Sequence, residues 1–256
     1  MEFDAFRMDG LGNDFVIIDQ RKRSVSLTKD QIIKICDRNF LGCDQLIFIQ
    51  NSNVSNASMQ FYNSDGSTSG ACGNGTRCVA DLISKEKNSN SIVLNTLSGK
   101  LKSQILEKKI VMTEIGKAKL KWNEIPLSKE IDTKNLNMKI IDTNNNEHLG
   151  GTAINVGNPH IIFFVKKIED FNIETVGPEI ENHELFPERC NVTIAQIINK
   201  NLIKVKVWER GAGLTKACGT AACAAAYAGK LNNFTENKTD IEFSTGKLSI
   251  LIDEYN

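Results

Sequence analysis

The chain has 256 residues, of which 41% are hydrophobic, and its 31 basic residues are balanced by 31 acidic ones. This length fits two ordinary domains or one large domain, and a net charge of zero gives no sign of the basic surface that nucleic-acid binding needs. The first residues carry acids at positions 2, 4 and 9 and no long apolar core, which predicts neither a signal peptide nor a membrane span. The expected location is the cytoplasm.

The first half of the chain alternates predicted strands and helices. Strands are predicted at residues 15–19, 46–50, 59–62 and 91–96. A capping box at residues 28–31 begins a helix whose turns are marked by Ile32, Ile35, Cys36 and Asn39. Residues 74–84 form a second predicted helix, with Val79, Leu82 and Ile83 on one side.

The second half repeats this order after a junction. Residues 117–146 are rich in Asn and Lys and lack sustained periodicity, which favours a connection with one edge strand. Strands follow at 161–165, 192–198 and 202–208, with helices near 174–185 and at 219–229, where Gly229 is the expected C-cap. Residues 219–229 are nearly all small, and such a helix is surrounded by protein. We therefore expect the helices at 74–84 and 219–229 to run through the middle of their domains.

An internal repeat relates the two halves. Cys72 and Cys218 lie 146 residues apart in matching Ala-Cys-Gly strings, each before a predicted helix. At similar offsets Asn13 falls on Asn158, Gln45 falls on Asn191, and Asn63 falls on Glu209. The repeat predicts two pseudo-equivalent domains, residues 1–118 and 119–256, with a site shared between them.

The two matched cysteines are the candidate catalytic groups. A cysteine directly before a helix lies near unpaired N–H groups and the positive end of the helix dipole, so its pKa is expected to fall from about 8.5 toward roughly 3.5 to 7.5. The same N–H groups bind a carboxylate. Two such helix starts facing each other would hold one sulfur on each side of an α-carbon. This geometry predicts stereochemical inversion, in which one thiolate removes the α-proton and the opposing thiol delivers another.

The remaining candidates have structural interpretations as well. Cysteines 36, 43, 78, 190 and 223 are interpreted as small buried hydrophobic residues. Seven cysteines, an odd number, favour free thiols, and the lack of a Cys-x-x-Cys pair argues against a metal site. His160 is equally consistent with a structural role and with a role beside a thiol. Glu209 and Arg210 could form a solvated strand end, but their position opposite Asn63 in the repeat favours a binding role.

Taken as a set, these motifs resemble the diaminopimelate epimerase family. The matching segments follow the family order over nearly the whole chain: residues 10–15, 44–46, 63–67, 72–78, 157–160, 187–191, 209–213 and 217–220. The resemblance implies an α+β fold of two pseudo-symmetric domains, each a β-barrel-like sheet wrapped around a central helix. It also implies an isomerase that converts L,L- to meso-diaminopimelate without a cofactor, in lysine and peptidoglycan biosynthesis, and it is compatible with a homodimer.

The resemblance further implies a role for each matching residue. Cys72 and Cys218 would be the two acid/base thiols, with His160 and Glu209 near them. The backbone N–H groups of the residues after each thiol would hold the reacting carboxylate, namely Gly73, Asn74, Gly219 and Thr220. Arg210 would pair with the distal carboxylate, and the rest of the pocket would be polar: Asn13, Gln45, Asn63, Asn158, Asn191 and Glu209.

Three positions depart from the family pattern: Thr68, Leu214 and Ala221. The family pattern also continues with one more strand just beyond Asn256, so an unpaired sheet edge is expected at the C-terminus. Two alternatives to the diaminopimelate reaction stay open at this stage. One is a proline racemase-like enzyme with the same two-thiol chemistry, and the other is a non-catalytic binding or redox protein.

Overall fold

The computed structural model describes residues 4–70, 72–107 and 110–253, so that Ala71 of the first cysteine motif lies outside the described residues. The chain divides into two compact units between Ile115 and Gly116. In the described residues no helix is both long and apolar enough to cross a membrane.

The first unit is a sheet around one long helix, with a second short helix outside. Its elements are β1 Ala5–Gly10, β2 Asn13–Asp19, α1 Lys29–Cys36, β3 Gln45–Gln50, β4 Ala57–Asn63, β5 Thr68–Ser69, α2 Gly73–Lys87, β6 Ser91–Thr96, β7 Gly99–Ile105 and β8 Val111–Thr113. The strands are ordered β1-β2-β3-β4-β6-β7-β8, and β5 pairs with β4. Helix α2 packs against strands from both ends of this order, β1 and β8, so the sheet curls around it.

The second unit repeats this plan. Its elements are β9 Met138–Ile141, β10 Glu147–Gly150, β11 Thr152–Asn155, β12 Pro159–Val165, a 3-10 turn Ile168–Asp170, α3 Ile173–Glu181, β13 Asn191–Asn199, β14 Leu202–Glu209, β15 Gly213–Thr215, α4 Gly219–Leu231, β16 Lys238–Phe243 and β17 Gly246–Leu251. The strands are ordered β11-β12-β13-β14-β16-β17, with β15 on β14. Helix α4 packs against β11 and β17 at the two ends of the order.

The two sheets share their strand directions as well as their order. The parallel pair β2–β3 corresponds to the parallel pair β12–β13, and β4–β6 corresponds to β14–β16, whereas the neighbouring pairs are antiparallel. Phe15 lies opposite Gln45 in the first unit, as His160 lies opposite Asn191 in the second. The predicted α+β fold with two pseudo-equivalent curled sheets is therefore confirmed.

The buried surfaces of α2 and α4 explain why each helix lies inside its sheet. In the first unit the apolar side of α2, including Val79 and Ile83, is buried against strand residues such as Phe15 and Phe61. Helix α4 buries a nearly continuous surface of alanines from Ala221 to Ala228. Small side chains let the surrounding strands approach the helix closely, so a sheet can enclose it.

Several element boundaries differ from the sequence prediction. Helix α1 has the predicted capping box at Thr28 but ends at Cys36, before Asn39, because Asp37 is already extended with ψ 125°. Helix α3 ends at Glu181 rather than near residue 185. Gly229 is not a C-cap but lies inside α4, where an added Cβ would come within 2.6 Å of the Thr235 hydroxyl. Its role is a close approach between helix and loop.

The predicted edge strand of the junction is β9, which pairs on one side only and in a sheet of its own. Strand β9, at residues within 117–146, pairs with β10 and not with a main sheet. Its inward residues Met138 and Ile140 join the core of the second unit. At the other end of the chain, β17 is the edge strand of the second sheet within the described residues.

Candidate active site

Cys72 caps the N-terminus of the central helix of the first unit. Its backbone is extended (φ −142°, ψ 115°), and the helix begins at the next residue, Gly73. The sulfur accepts a hydrogen bond from the backbone N–H of Gly75 at 3.5 Å. The N–H groups of Gly73 and Asn74 occupy the first two helical positions, where an α-helix offers them no acceptor. They are thus placed to bind an anion next to a half-buried thiol.

A chain of side-chain amides lies beside this thiol, and its direction is fixed. Arg77 donates to the Asn74 side-chain oxygen at 2.6 Å, the Asn74 amide donates to Asn13 Oδ1 at 3.3 Å, and Asn13 Nδ2 donates to the Asp44 carboxylate at 2.9 Å. A guanidinium can only donate and a carboxylate can only accept, so neither amide can be reversed without losing a bond. Asn13 therefore presents an oxygen to the Cys72 thiol, at 3.8 Å.

Gln45 and Asn63 complete the polar residues of the first unit. They lie directly opposite each other on β3 and β4, and the Gln45 amide donates to Asn63 Oδ1 at 2.9 Å. Asn63 in turn donates to the Ser67 hydroxyl at 3.0 Å. The buried Gln45 Oε1 has no hydrogen-bond partner among the residues that the structure describes. An unpaired buried acceptor is costly, which marks this oxygen as one that a ligand could satisfy.

Cys218 occupies the same position in the second unit, at the N-cap of α4 with an extended backbone (φ −133°, ψ 118°). Its surroundings differ from those of Cys72. The thiol is buried and lies 3.4 Å from the Thr220 hydroxyl. Burial raises the pKa of the Cys218 thiol well above its ordinary value, the nearby Glu209 carboxylate raises it further, and the Thr220 hydroxyl and the Ala221 N–H oppose the rise.

The predicted lowering of the thiol pKa is therefore wrong for Cys218. The helix N-terminus does favour the thiolate there, but removal of water and the adjacent negative charge outweigh it. The raised pKa favours the thiol form of Cys218, with a carboxylate beside it.

His160 and Asn158 form a buried pair near the start of β12. His160 is completely buried, and its Nε2 lies 2.9 Å from Asn158 Oδ1. Burial, with a smaller contribution from the positive charge of Arg210, lowers the pKa of His160 to about 3. The imidazole is therefore neutral at physiological pH and orients the Asn158 amide. Its Nδ1 has no hydrogen-bond partner among the described residues.

Asn191 begins the neighbouring strand β13, and Arg210 lies in the turn that follows β14. Asn191 is buried, donates to the Pro159 carbonyl at 2.9 Å and accepts from the Arg210 backbone N–H at 3.0 Å. The Arg210 guanidinium donates to the Glu188 carbonyl at 2.8 Å. One end of the second unit thus gathers the predicted residues Asn158, His160, Asn191, Glu209, Arg210 and Cys218.

Within each unit the predicted polar residues lie on connected elements. The other cysteines also behave largely as predicted, since Cys36, Cys43, Cys78 and Cys190 are buried and Cys223 is half-buried. Among the described residues no three His, Cys, Asp or Glu side chains converge as ligands of a metal ion would. The sequence did not single out two carboxylates that bind these residues or the turn beside them: Asp44 accepts from Asn13, and Glu181 accepts from the Gly211 N–H next to Arg210. Asp44 stands in one of the quoted motifs, whereas Glu181 is signalled only as a charge on the buried side of α3.

Comparison with known proteins decides the family. The family model described as diaminopimelate epimerase matches residues 5–121 and 152–256. The chain belongs to the diaminopimelate epimerase family. A curated diaminopimelate epimerase of Pelagibacter ubique (strain HTCC1062) is 66% identical over 256 residues, which cover 100% of this chain and 93% of that protein. Another, from Acidiphilium cryptum (strain JF-5), is 40% identical over 95% of this chain and 87% of its own length.

A solved structure extends the fold comparison beyond the family. A hydroxyproline epimerase from Agrobacterium vitis with bound trans-4-OH-L-proline aligns with a TM-score of 0.66 over 96% of this chain and 82% of its own, at 11% identity. At this identity the likeness concerns the fold alone. The match to the diaminopimelate epimerase family by itself confirms the prediction of an isomerase and rules out the alternative of a non-catalytic binding or redox protein.

Proposed function

We propose that the chain interconverts L,L- and meso-diaminopimelate by proton transfer between two cysteines that act on opposite faces of one α-carbon. The observation that carries the proposal is the equivalence of Cys72 and Cys218. Each caps the central helix of a unit, and the two units share sheet order and strand direction. A buried structural cysteine would have no reason to recur at this position in both units.

The reacting carboxylate would be held by the free N–H groups of both helices. These belong to Gly73 and Asn74 in the first unit and to Gly219 and Thr220 in the second. Removal of an α-proton places negative charge next to the carboxylate, and aligned N–H groups and helix dipoles stabilise that charge most strongly where water is excluded. This compensates in part for the absence of an electron-accepting cofactor.

At the start of each turnover the two sulfurs would carry one proton between them, so that one is a thiolate and the other a thiol. In one direction the Cys72 thiolate takes the α-proton as the C–H bond breaks, and the Cys218 thiol delivers its proton to the opposite face. The raised pKa of Cys218 suits a donor, and Glu209 beside it discourages a lasting thiolate. The forward turnover leaves Cys72 as a thiol and Cys218 as a thiolate, which is the state that the reverse direction uses. Proton exchange with solvent then restores the starting state.

The distal amino-acid group of the substrate would be recognised by polar side chains of both units. A planar guanidinium binds a carboxylate through two parallel hydrogen bonds, which suits Arg210 to the distal carboxylate. The amide groups of Asn63, Asn158 and Asn191, with the Glu209 region, would fix the distal amino centre. Asn13 and Gln45 would complete the pocket.

The wider setting follows from the same proposal. Diaminopimelate is consumed in lysine and peptidoglycan biosynthesis, and we place the reaction there, in the cytoplasm, with no metal or cofactor. A homodimer remains part of the proposal and is testable by light scattering of the purified protein.

The proposal is tested by isotope exchange in deuterated water. The wild-type protein is expected to incorporate deuterium at an α-carbon of L,L-diaminopimelate, with proline and glutamate as control substrates. Cys72→Ser and Cys218→Ser should each abolish complete epimerisation, because a serine hydroxyl is too weak an acid and its alkoxide too scarce to replace the thiol. Normal turnover in either variant, or faster exchange of proline than of diaminopimelate, would contradict the proposal.

A further inference from the structure

A buried carboxylate in the second unit has no part in the proposed chemistry. Glu181 is the last residue of α3, and only 5% of it is exposed. A carboxylate is costly to bury unless donors compensate its charge, so its partners indicate why the chain keeps it there.

Two of the three partners of Glu181 flank Arg210 in sequence, and the third, Arg189, follows Glu188, whose carbonyl accepts from the Arg210 guanidinium. The Trp208 indole N–H donates to Oε2 at 2.7 Å, and the Gly211 backbone N–H donates to Oε1 at 2.9 Å. The Arg189 guanidinium lies 3.2 Å from Oε1. Glu181 thus contacts the residue just after Arg210 and the residue two positions before it.

The turn that carries Arg210 is held from two sides. It closes with a hydrogen bond from the Ala212 N–H to the Glu209 carbonyl at 3.0 Å, and Gly211 adopts a positive φ of 74°. The Arg210 N–H is bound by Asn191 and the Gly211 N–H by Glu181, so consecutive backbone N–H groups are fixed by different side chains. Loss of either acceptor frees the peptide unit from which the guanidinium extends.

The packing of Trp208 reinforces this arrangement. Its ring lies so close to the backbone of α3 that a Cβ at Gly177 would come within 2.4 Å of it. Glu181 and Gly177 are one helical turn apart on α3, one binding the indole nitrogen and the other making room for the ring. Helix α3 therefore fixes the end of β14 in both position and rotation.

We propose that Glu181 is a positioning residue for Arg210 and so sets the recognition of the distal carboxylate of the substrate. The inference rests on the proposed function. Glu181 does not touch the reacting atoms, and its effect passes through the Trp208–Gly211 turn. It should therefore influence substrate affinity more than the proton-transfer step.

The test compares Glu181→Gln with Glu179→Gln, an exposed glutamate on the same helix. A glutamine at 181 has one acceptor oxygen for two separate donors and no charge for Arg189. The turn that carries Arg210 thereby loses a charged acceptor, so KM for L,L-diaminopimelate should rise about tenfold or more in Glu181→Gln. We expect kcat to change by less than about threefold, and Glu179→Gln to match the wild type.

A double-variant cycle separates positioning from general destabilisation. If Glu181 acts through the guanidinium, Glu181→Gln should add little to the KM of an Arg210→Lys variant. The lysine already lacks the two parallel hydrogen bonds to the distal carboxylate that Glu181 would help to align. Independent, additive losses would show a merely structural role and overturn the inference, as would an unchanged KM or a fall in kcat alone. Should Glu181→Gln fail to fold by circular dichroism, Trp208→Phe removes one donor and must raise KM by itself.

The failure of the inference can be told from the failure of the proposed function. A wild-type protein that exchanges the α-proton of diaminopimelate, with Glu181→Gln kinetically unchanged, refutes the inference alone. A wild-type protein that exchanges no α-proton refutes the proposed function and removes the basis of the inference with it.

Discussion

Gly75 lies between the core of the first unit and the Cys72 thiol, so a substitution there should affect both stability and the position of the thiol. An added Cβ there would come within 2.7 Å of Ile47 Cδ1 and 2.9 Å of Phe61 Cε1, side chains that are completely buried. The Gly75 N–H is also the donor to the Cys72 sulfur. Gly75→Ala should therefore weaken the fold and displace the helix start together.

The free-energy cost of the clash at Gly75 can be isolated by comparison with Gly73→Ala, a control variant on the same helix. Alanine gains helix propensity over glycine by up to about 1 kcal/mol at either position, but at Gly73 an added Cβ meets only Ile115 Cδ1, at 3.3 Å. The difference between the variants thus reports the clash, for which overpacking costs about 1 to 3 kcal/mol. Gly75→Ala should be less stable than Gly73→Ala by about that amount.

Urea unfolding followed by circular dichroism measures this difference, and turnover measures the displaced thiol. Since a misplacement of about 1 Å can cost a factor of about 100 in rate, a shift of a few tenths of an ångström should lower kcat of Gly75→Ala about tenfold. Equal stabilities for the two variants would show that the core yields freely at this position. That result would refute the packing argument for the placement of Cys72.

Three further outcomes are expected in the second unit. Glu209→Gln should lower the pKa of Cys218, so that pH-dependent alkylation of this thiol, read by mass spectrometry, begins at lower pH than in the wild type. His160 should stay neutral by NMR down to about pH 4, and because its folded pKa is depressed, its contribution to the free energy of unfolding should fall by about 1.4 kcal/mol per pH unit below about 6.5. Arg210→Lys should raise KM for diaminopimelate, since an ammonium cannot reproduce the paired bonds of a guanidinium.

The fold was predictable where the sequence repeats or alternates. The central helices followed from two signals, the matched cysteine strings and the small residues at 219–229; α4 begins at the predicted Gly219, and α2 begins at Gly73, one residue before the predicted start. The separate β9–β10 sheet was not predictable, because the register that pairs Met138 with Gly150 depends on the core that β9 covers. Local pattern cannot show which sheet a short strand joins.

The candidate site was predictable in its composition but not in its electrostatics. The N-cap positions of Cys72 and Cys218 follow from sequence, whereas the raised pKa of Cys218 depends on its burial and on Glu209, the last residue of β14. The direction of the Asn13 amide likewise depends on Asp44, 31 residues away in sequence. Such effects arise from tertiary contacts, so motif spacing alone could not reveal them.

The two thiols are equivalent in the fold but not in their surroundings. Cys72 is half-buried and faces the oxygen of a neutral amide, Asn13, whereas Cys218 is buried and lies beside a carboxylate, Glu209. A two-base inversion needs one thiolate and one thiol at the same moment, and two identical environments would leave the position of the proton undetermined. Unequal surroundings fix it, because they make the proton more stable on one sulfur. Duplication of a domain thus explains the matched helix starts, and divergence of the neighbouring strands at Asn63 and Glu209 explains how the proposed reaction can begin from a defined protonation state.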